Sequence, residues 1–137
     1  MVTLIEYGSP LFDKNRAKKL FNTNKKNLND KNGFEYLLSN SRFFNVHNNG
    51  YIGSIFVYEG FDNKKYMGGY SLRKHHNEVV EAICLVSEMF DEVYAQTQHL
   101  NAVIALKKAG FHWYDKSQNL LRKITLNIER RKLCSNM

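Results

Sequence analysis

Hydrophobic and polar positions in the middle of the chain predict a strand, a turn and a long helix in succession. Residues 66–72 have the pattern of a strand, and residues 73–76 form a polar, basic turn. Apolar residues then recur at the i, i+3, i+4, i+7 spacing of an amphipathic helix: Val79, Ala82, Ile83, Val86 and Phe90. Four more apolar residues occupy its other sides and predict that it is largely buried: Val80, Cys84, Leu85 and Met89.

The next segment predicts another strand, a shorter helix and a returning strand. Residues 93–97 form the strand, and the helix has one apolar face: Ala102, Ala105, Leu106 and Ala109. Gly110 stands where a helix C-terminus favours a residue at positive φ. Residues 111–114 then return as a strand. With the strand before the long helix, this order predicts a βαβ unit.

The N-terminal region predicts one strand and two helices. Residues 1–7 form the strand, and Ser9 and Pro10 are expected to start a helix as its N-cap and first residue. The apolar face of this helix consists of Leu11, Phe12, Ala17, Leu20 and Phe21. A polar loop over residues 22–32 leads to a short helix over residues 33–39.

A strong hairpin signal follows the two helices. The sequence Asn48-Asn49-Gly50 separates two strand-like runs, and Asn and Gly accept the positive φ angles of a tight turn. Residues 42–47 and 51–58 are therefore predicted to pair. A second turn over residues 60–65 leads into the strand at 66–72, which gives three consecutive antiparallel strands.

The end of the chain completes the predicted order. Residues 115–119 turn, residues 120–128 form a strand with Ile124, Leu126 and Ile128 on one face, and residues 129–137 form a polar tail. The order β-α-α-β-β-β-α-β-α-β-β predicts an α/β fold of three layers around a central, mixed and mostly antiparallel sheet. The length of 137 residues suits a single domain over residues 1–137.

Composition narrows the classes of function. The formal net charge of +7, from 20 Lys and Arg against 13 Asp and Glu, favours anionic partners. The sequence has neither an apolar run near the roughly 18 residues of a membrane span nor a signal-peptide pattern. Cys84 and Cys134 do not indicate a disulfide framework, so we expect a protein of the reducing cytoplasm.

The basic turn before the long helix is a candidate anion site. A helix N-terminus presents free backbone N–H groups and the positive end of the helix dipole, which suit a phosphate or pyrophosphate. Here the turn adds Arg73, Lys74, His75 and His76. The alternative is a solvated charged turn without a function.

The order of elements resembles that of the GCN5-related N-acetyltransferase (GNAT) superfamily over nearly the whole chain. At the level of residues the resemblance is confined to 51–111. It is best over 93–111 (VYAQTQHLNAVIALKKAGF), which is similar to the family's strand–helix segment that ends in Lys-x-Gly-Phe, here Lys108 to Phe111. The resemblance implies a protein that binds acetyl-coenzyme A and transfers the acetyl group to an amine, here an unknown acceptor.

The resemblance also implies which residues bind the cofactor, and the sequence departs from the family there. The pyrophosphate would rest at the start of the long helix, against Leu72, Arg73, Lys74, His75, His76 and Asn77. Counted from Arg73, the family's loop glycines fall on His76 and Glu78, so basic side chains would bind the phosphates by charge instead of close backbone approach. The family's helix asparagine falls on His99, with Asn101 as a nearby substitute.

The catalytic groups implied by the resemblance are candidates only by residue type and position. The family's tyrosine acid falls at or next to Leu106, which cannot donate a proton. Glu59 is the candidate base, and Tyr70, His99 or Tyr114 would replace the missing acid. The enzyme hypothesis further requires a groove between the strands that begin near residues 66 and 93. Strands held together along their length would argue against it.

Two other classes of function compete with an enzyme. The first is a catalytically degenerate GNAT-like structural or interaction protein with a protein partner. This alternative resembles small virion components of short-tailed bacteriophages, which would place the protein in a virion or in host cytoplasm. The second is nucleic-acid binding, since Lys and Arg cluster in residues 14–31 and 122–132. No nucleic-acid-binding motif is present, so specific recognition is not expected. Histidine and cysteine spacing does not indicate a metal site.

Overall fold

The computed structural model describes residues 1–28 and 32–125, which form a seven-stranded sheet with helices on both faces. The strands are β1 (Thr3–Glu6), β2 (Ser41–His47), β3 (Tyr51–Glu59), β4 (Lys65–Ser71), β5 (Glu92–Gln96), β6 (His112–Asp115) and β7 (Leu120–Ile124). The helices are α1 (Lys14–Thr23), α2 (Phe34–Ser39), α3 (His76–Ser87) and α4 (Leu100–Lys108). Two short 3₁₀ turns cover Lys25–Asn27 and Lys116–Gln118.

The order of strands in the sheet is β1-β2-β3-β4-β5-β7-β6. β4 and β5 pair in parallel, and the other neighbouring strands pair antiparallel. The predicted order of elements and the mixed, mostly antiparallel sheet are therefore confirmed. The expected inward positions Leu126 and Ile128 and the tail at 129–137 lie outside the described residues. None of the described helices is long and apolar enough to cross a membrane.

The predicted hairpin between β2 and β3 is confirmed. Asn49 has a φ of 57° and Gly50 a φ of 128°, so both turn residues take the left-handed conformation that Asn and Gly accept. The two strands then pair from His47 with Tyr51 to Ser41 with Tyr58. The short turn thereby fixes the register of the ladder between β2 and β3.

Alternation along the strands divides the core between the two faces of the sheet. One face packs aliphatic residues under α3 and α4, including Ile55, Val57, Met67, Val93 and Leu121. On the other face, Phe21 of α1 and Phe34 of α2 pack against aromatic residues of the strands, including Phe43, Phe56 and Tyr70. The three predicted layers follow from this division.

The predicted start of the first helix at Ser9 and Pro10 is wrong. α1 begins at Lys14 with Asp13 as its N-cap, whose Oδ1 accepts a hydrogen bond from the Arg16 backbone N–H at 3.0 Å. Ser9 Oγ instead accepts from the Leu11 N–H and closes a local turn. The positive end of the helix dipole also stabilises a carboxylate, so Asp13 is a better N-cap than Ser9.

The prediction that the long helix is largely buried is also wrong in part. α3 buries one side against the sheet, with Ala82, Ile83 and Val86 in the core. Leu85 is 40% exposed on its other side, and Met89, which was expected in the helix, lies beyond its end at Ser87 and is 46% exposed. An apolar residue is buried only where another layer covers it, and the sequence pattern of a helix does not show which sides are covered.

An ion pair on the edge of the sheet gives a first prediction. Arg42 donates from Nε and Nη2 to the two carboxylate oxygens of Glu6, each at 2.9 Å, and the hydrogen bond holds the pKa of Glu6 below its ordinary value. Glu6→Gln should lower the free energy of unfolding at pH 7 by about 0.5–1 kcal/mol, the range of solvent-screened pairs. Urea unfolding measures this loss.

The loss should depend on pH with a defined sign. A lowered folded-state pKa stabilises the fold above the ordinary carboxyl pKa, and this stabilisation disappears as the pH falls through the lowered value. Wild type and Glu6→Gln should therefore converge in strongly acidic solution. Glu88→Gln is the control, because its carboxylate makes a single, longer contact of 3.9 Å with Lys123. An equal loss of unfolding free energy for Glu6→Gln at pH 7 and in strongly acidic solution would contradict this account.

Candidate cofactor cleft

The sheet opens between β4 and β5. Within the described residues, the ladder between these strands has one register pair, Tyr66 with Tyr94. β4 nevertheless continues to Ser71 and pairs with β3 over its whole length. The two parallel strands therefore part after Tyr66 and Tyr94, which we call the vertex of the cleft. Their carboxyl ends form its open edge.

The start of α3 lies at this open edge. The Leu72 N–H still donates to the Ile52 carbonyl at 2.8 Å, and the chain then turns through Lys74 at a left-handed φ of 71°. The His75 carbonyl accepts the N–H of Val79 at 2.9 Å, which begins the helix. The His75 side chain makes no capping hydrogen bond. The first amides of α3 therefore point outward without a side-chain cap, as an anion site requires.

Cations from two helices meet at the start of α3. Arg73 and Lys74 are exposed in the turn, and Lys108 from the last turn of α4 places its Nζ 3.2 Å from Nε2 of His76. An ammonium has no acceptor, so Nε2 of His76 accepts in this contact. Sequence reasoning used Lys108 only as part of a motif. It missed this role because the contact joins residues 32 positions apart.

The positions of the family's loop glycines are occupied by side chains in the structure. His76 is exposed and Glu78 is half-buried, and both stand in the first turn of α3. Glu78 therefore adds a negative charge close to the outward amides. Binding of an anion there depends on Arg73, Lys74 and Lys108 outweighing that charge.

The start of α4 lies at the same edge of the sheet. β5 ends at Gln96 and α4 begins at Leu100, and the carboxyl ends of parallel strands share one edge. His99 and Asn101 are both exposed there, and the His99 N–H donates to Thr97 Oγ1 at 3.1 Å. The predicted residues at 72–77, His99 and Asn101 are thus placed around one opening.

The structure does not bring the candidate catalytic side chains together. Glu59 pairs with Lys65 at 3.2 Å, and its register partner is also Lys65, at the end of β4 opposite the open edge. Tyr114 is exposed beside the vertex, with its ring 5.2 Å from that of Tyr94. Because Tyr58 stacks on Tyr66, strand alternation places Glu59 on the opposite face of the sheet.

Tyr70 and Leu106 both lie in the core. The Tyr70 hydroxyl donates to the Ala17 carbonyl at 2.7 Å, and burial raises its pKa. Proton donation by Tyr70 would require that bond to α1 to break. Leu106, at the family's acid position, belongs to α4 and is buried in the core. Among the predicted acids, His99 and Tyr114 are the exposed ones.

Sequence reasoning also missed a row of tyrosine rings next to the vertex. Tyr58 stacks on Tyr66 at 5.9 Å, and Tyr66 packs on Tyr94 at 5.8 Å. Tyr114 completes the row. Tyr58 and Tyr114 are exposed, so packing in the core does not account for them. Within residues 1–28 and 32–125, no group of three His, Cys, Asp or Glu side chains could hold a metal ion.

The contact between Lys108 and His76 gives a second prediction. Inorganic pyrophosphate should shift the backbone amide NMR signals of His76 and Asn77. Lys108→Ala should weaken this binding about two- to fivefold, as expected for the loss of an exposed cation worth about 0.5–1 kcal/mol. Lys107→Ala is a matched control, because its Nζ lies 5.2 Å from the Trp113 ring centroid and not at the start of α3. Equal effects of both variants would show a general charge effect instead.

Comparison with known proteins supports the fold and little beyond it. No protein-family model and no curated protein sequence matches the chain. A GNAT-family acetyltransferase of Staphylococcus aureus is 14% identical with a TM-score of 0.56, over 90% of this chain and 99% of its own. The N-acetyltransferase PseH of Campylobacter jejuni, in complex with acetyl coenzyme A, is 16% identical with a TM-score of 0.58, over 89% and 96%.

A third similar structure is named for a substrate. It is a spermidine N-acetyltransferase SpeG chimera from Vibrio cholerae and hSSAT, 12% identical with a TM-score of 0.58, over 95% of this chain and 99% of its own. Identities this low establish architecture and not substrate. The described residues, with seven strands and four α-helices, thus have the GNAT-like fold of N-acetyltransferases, an α+β fold with a mixed sheet.

Proposed function

We propose that the protein is an acyl-CoA-dependent N-acetyltransferase that moves an acetyl group from acetyl-coenzyme A to an amine. The observation that carries this proposal is the cleft between β4 and β5. It opens at the edge where α3 presents uncapped amides and the cations of Arg73, Lys74 and Lys108. A similar structure that holds acetyl-coenzyme A, the Campylobacter jejuni enzyme, lends support through its fold.

The residues at the open edge fit the cofactor's phosphates by charge. The first amides of α3, Arg73, Lys74 and Lys108 would bind the pyrophosphate through charge-assisted hydrogen bonds. The other residues around the opening would contact the rest of the cofactor: Leu72, His75, His76, Asn77 and Asn101. Lys74 already adopts the left-handed φ for which glycine is usual, so the turn forms without glycine.

Bound acetyl-coenzyme A would supply an activated thioester. The acceptor amine must lose a proton before its nitrogen attacks, and Glu59 is the candidate base. Because Glu59 pairs with Lys65 and lies on the opposite face of the sheet from the tyrosine rings, the proton would reach it only through water. Tyr114 is the proposed donor to the leaving sulfur, because its hydroxyl group belongs to an exposed ring beside the vertex. His99, exposed at the open edge, is the other donor candidate. Tyr70 is the least suited, since its hydroxyl is bonded to α1.

A second function is favoured by the side chains in the first turn of α3. His76 and Glu78 occupy the family's glycine positions, and Leu106 occupies the acid position. A chain that had lost acetyl transfer would carry such replacements. The alternative is therefore a non-catalytic GNAT-fold protein that acts through a protein partner, as in the structural or virion role considered above.

Calorimetric titration with acetyl-coenzyme A distinguishes the two functions. Wild type should bind with micromolar affinity at near-physiological salt. Arg73→Ala with Lys74→Ala should weaken binding at least about tenfold, because a hydrogen bond to a charged group contributes about 1.5–3 kcal/mol. Lys25→Ala with Lys26→Ala removes the same net charge from an exposed 3₁₀ turn and should leave binding nearly unchanged.

Two results would go against the transferase. No binding at millimolar acetyl-coenzyme A would leave a GNAT-like scaffold without cofactor chemistry and would favour the partner-binding alternative. Equal losses in the two double variants would mean that net charge, and not the start of α3, attracts the cofactor.

A further inference from the structure

An ammonium group already lies over tyrosine rings at the vertex of the cleft. Nζ of Lys64 is 4.9 Å from the ring centroid of Tyr94 and 5.6 Å from that of Tyr114. The Tyr66 ring packs against Tyr94 from the β4 side at 5.8 Å. We call Tyr66, Tyr94 and Tyr114 the tyrosine cage. Both distances from the ammonium fall within the range of attractive cation–π contacts.

The tyrosine cage lies on the face of the sheet that carries α1 and α2. Val93 and Ala95 pack into the core under α3 and α4, so alternation directs Tyr94 to the other face. On that face α1 and α2 pack against β2, β3 and β4, and Tyr114 remains 48% exposed. Since Tyr66 and Tyr94 form the last register pair before the strands part, the cage borders the cleft.

The Lys64 side chain covers the cage, and it can move away while the backbone of the turn stays in place. Tyr94 is only 2% exposed with Lys64 in place. The backbone of Lys64 is held independently, since its N–H donates to Asp62 Oδ1 at 3.0 Å and its carbonyl accepts from the Gly60 N–H at 2.8 Å. Its side chain can therefore swing away without unfolding the turn. The neighbouring Lys65 differs, because its ammonium pairs with Glu59.

Two rings of the cage, Tyr66 and Tyr94, have raised pKa values and remain uncharged in neutral solution. The hydrogen bond from the Tyr66 hydroxyl to Asp62, with smaller contributions from burial, raises the pKa of Tyr66 to about 12. Burial is the largest cause of the raised pKa of Tyr94. Neutral ring faces attract cations through their quadrupole and offer nothing to an anion. A site of this chemistry favours a cation, and the Arg122 guanidinium already lies 4.7 Å from the Tyr114 ring centroid, beside the ammonium of Lys64.

We propose that the tyrosine cage binds the ammonium group of the acceptor, a primary alkylammonium such as a lysine side chain or an alkyl diamine, which displaces Lys64. The inference deepens the proposed function and rests on it for the transfer step. In that step the bound ammonium loses a proton to the base, the free amine forms the C–N bond, and the C–S bond breaks. The sulfur leaves with a proton as the thiol. The rings of the cage bind and orient the acceptor, and the Tyr114 hydroxyl is the proposed donor of the thiol proton.

Titration of the wild-type protein with n-butylammonium chloride tests the cage without acetyl-coenzyme A. The ring signals of Tyr94 and Tyr114 in aromatic NMR spectra should shift with n-butylammonium and not with n-butanol at matched ionic strength. Lys64→Ala should tighten the binding of n-butylammonium at least about threefold, because it removes the competing ammonium. Lys65→Ala, the matched control, should leave it unchanged. Equal shifts with n-butanol, or unaltered binding in Lys64→Ala, would overturn the proposal.

Variants of Tyr114 separate the ring from its hydroxyl. Tyr114→Phe keeps the ring and should retain n-butylammonium binding, whereas Tyr114→Leu should lose it. Tyr36→Leu, at an exposed tyrosine of α2, is the control for a lost surface ring. If Tyr114→Leu fails to fold, Lys64→Ala and Tyr114→Phe still decide, and loss of binding in Tyr114→Phe would contradict a ring-based site.

Acetyl-coenzyme A calorimetry on the same proteins distinguishes the two possible failures. Cofactor binding without n-butylammonium binding would refute the cage and leave the transferase proposal standing. If the protein binds n-butylammonium but does not bind acetyl-coenzyme A, the transferase proposal is refuted and the cage remains as an ammonium-binding site with another function.

Discussion

The parallel contact between Tyr66 and Tyr94 is the constraint on which the rest of the molecule depends. It joins an antiparallel half-sheet, β1 to β4, to a second antiparallel half-sheet, β5 to β7. Because the ladder stops after this pair, the half-sheets diverge toward the starts of α3 and α4. A fully paired sheet would place the same basic turn on a closed surface, where a cofactor arm could not pass between the strands.

Apolar packing, and not a long ladder, holds the two half-sheets in this arrangement. Met67 of β4 and Val93 of β5 share one core with Ile83 of α3, so the helix spans the divide on one face. On the other face, the hydrogen bond from Tyr70 to the Ala17 carbonyl fixes β4 to α1. Removal of a large buried side chain from such a core costs about 2–5 kcal/mol, so the cleft is as stable as the packing around it.

Features that depend on a few neighbouring residues could be predicted from the sequence, and contacts between residues far apart in the chain could not. The turn at Asn49 and Gly50 and the left-handed Gly110 are dictated by backbone conformation within a few residues, and both are confirmed. The cap at Asp13 was missed because Ser9 with Pro10 is also a typical sequence signal for a helix start. The contact of Lys108 with His76 and the exposure of Leu85 depend on which layers cover a helix. The same limit applies to the tyrosine row, since alternation assigns a ring to a face without showing whether a helix covers that face.

The proposed sites for anion and cation can coexist because β4 separates them. The cations of Arg73, Lys74 and Lys108 surround the open edge, whereas the tyrosine cage lies at the vertex. The five steps along the chain from Tyr66 to Ser71 correspond to roughly 17 Å of extended strand. Charges more than about 8–10 Å apart are largely screened at physiological salt. Repulsion from the basic edge therefore fades before the cage. A basic protein can thus hold a phosphorylated cofactor at one end of a cleft and an ammonium group at the other.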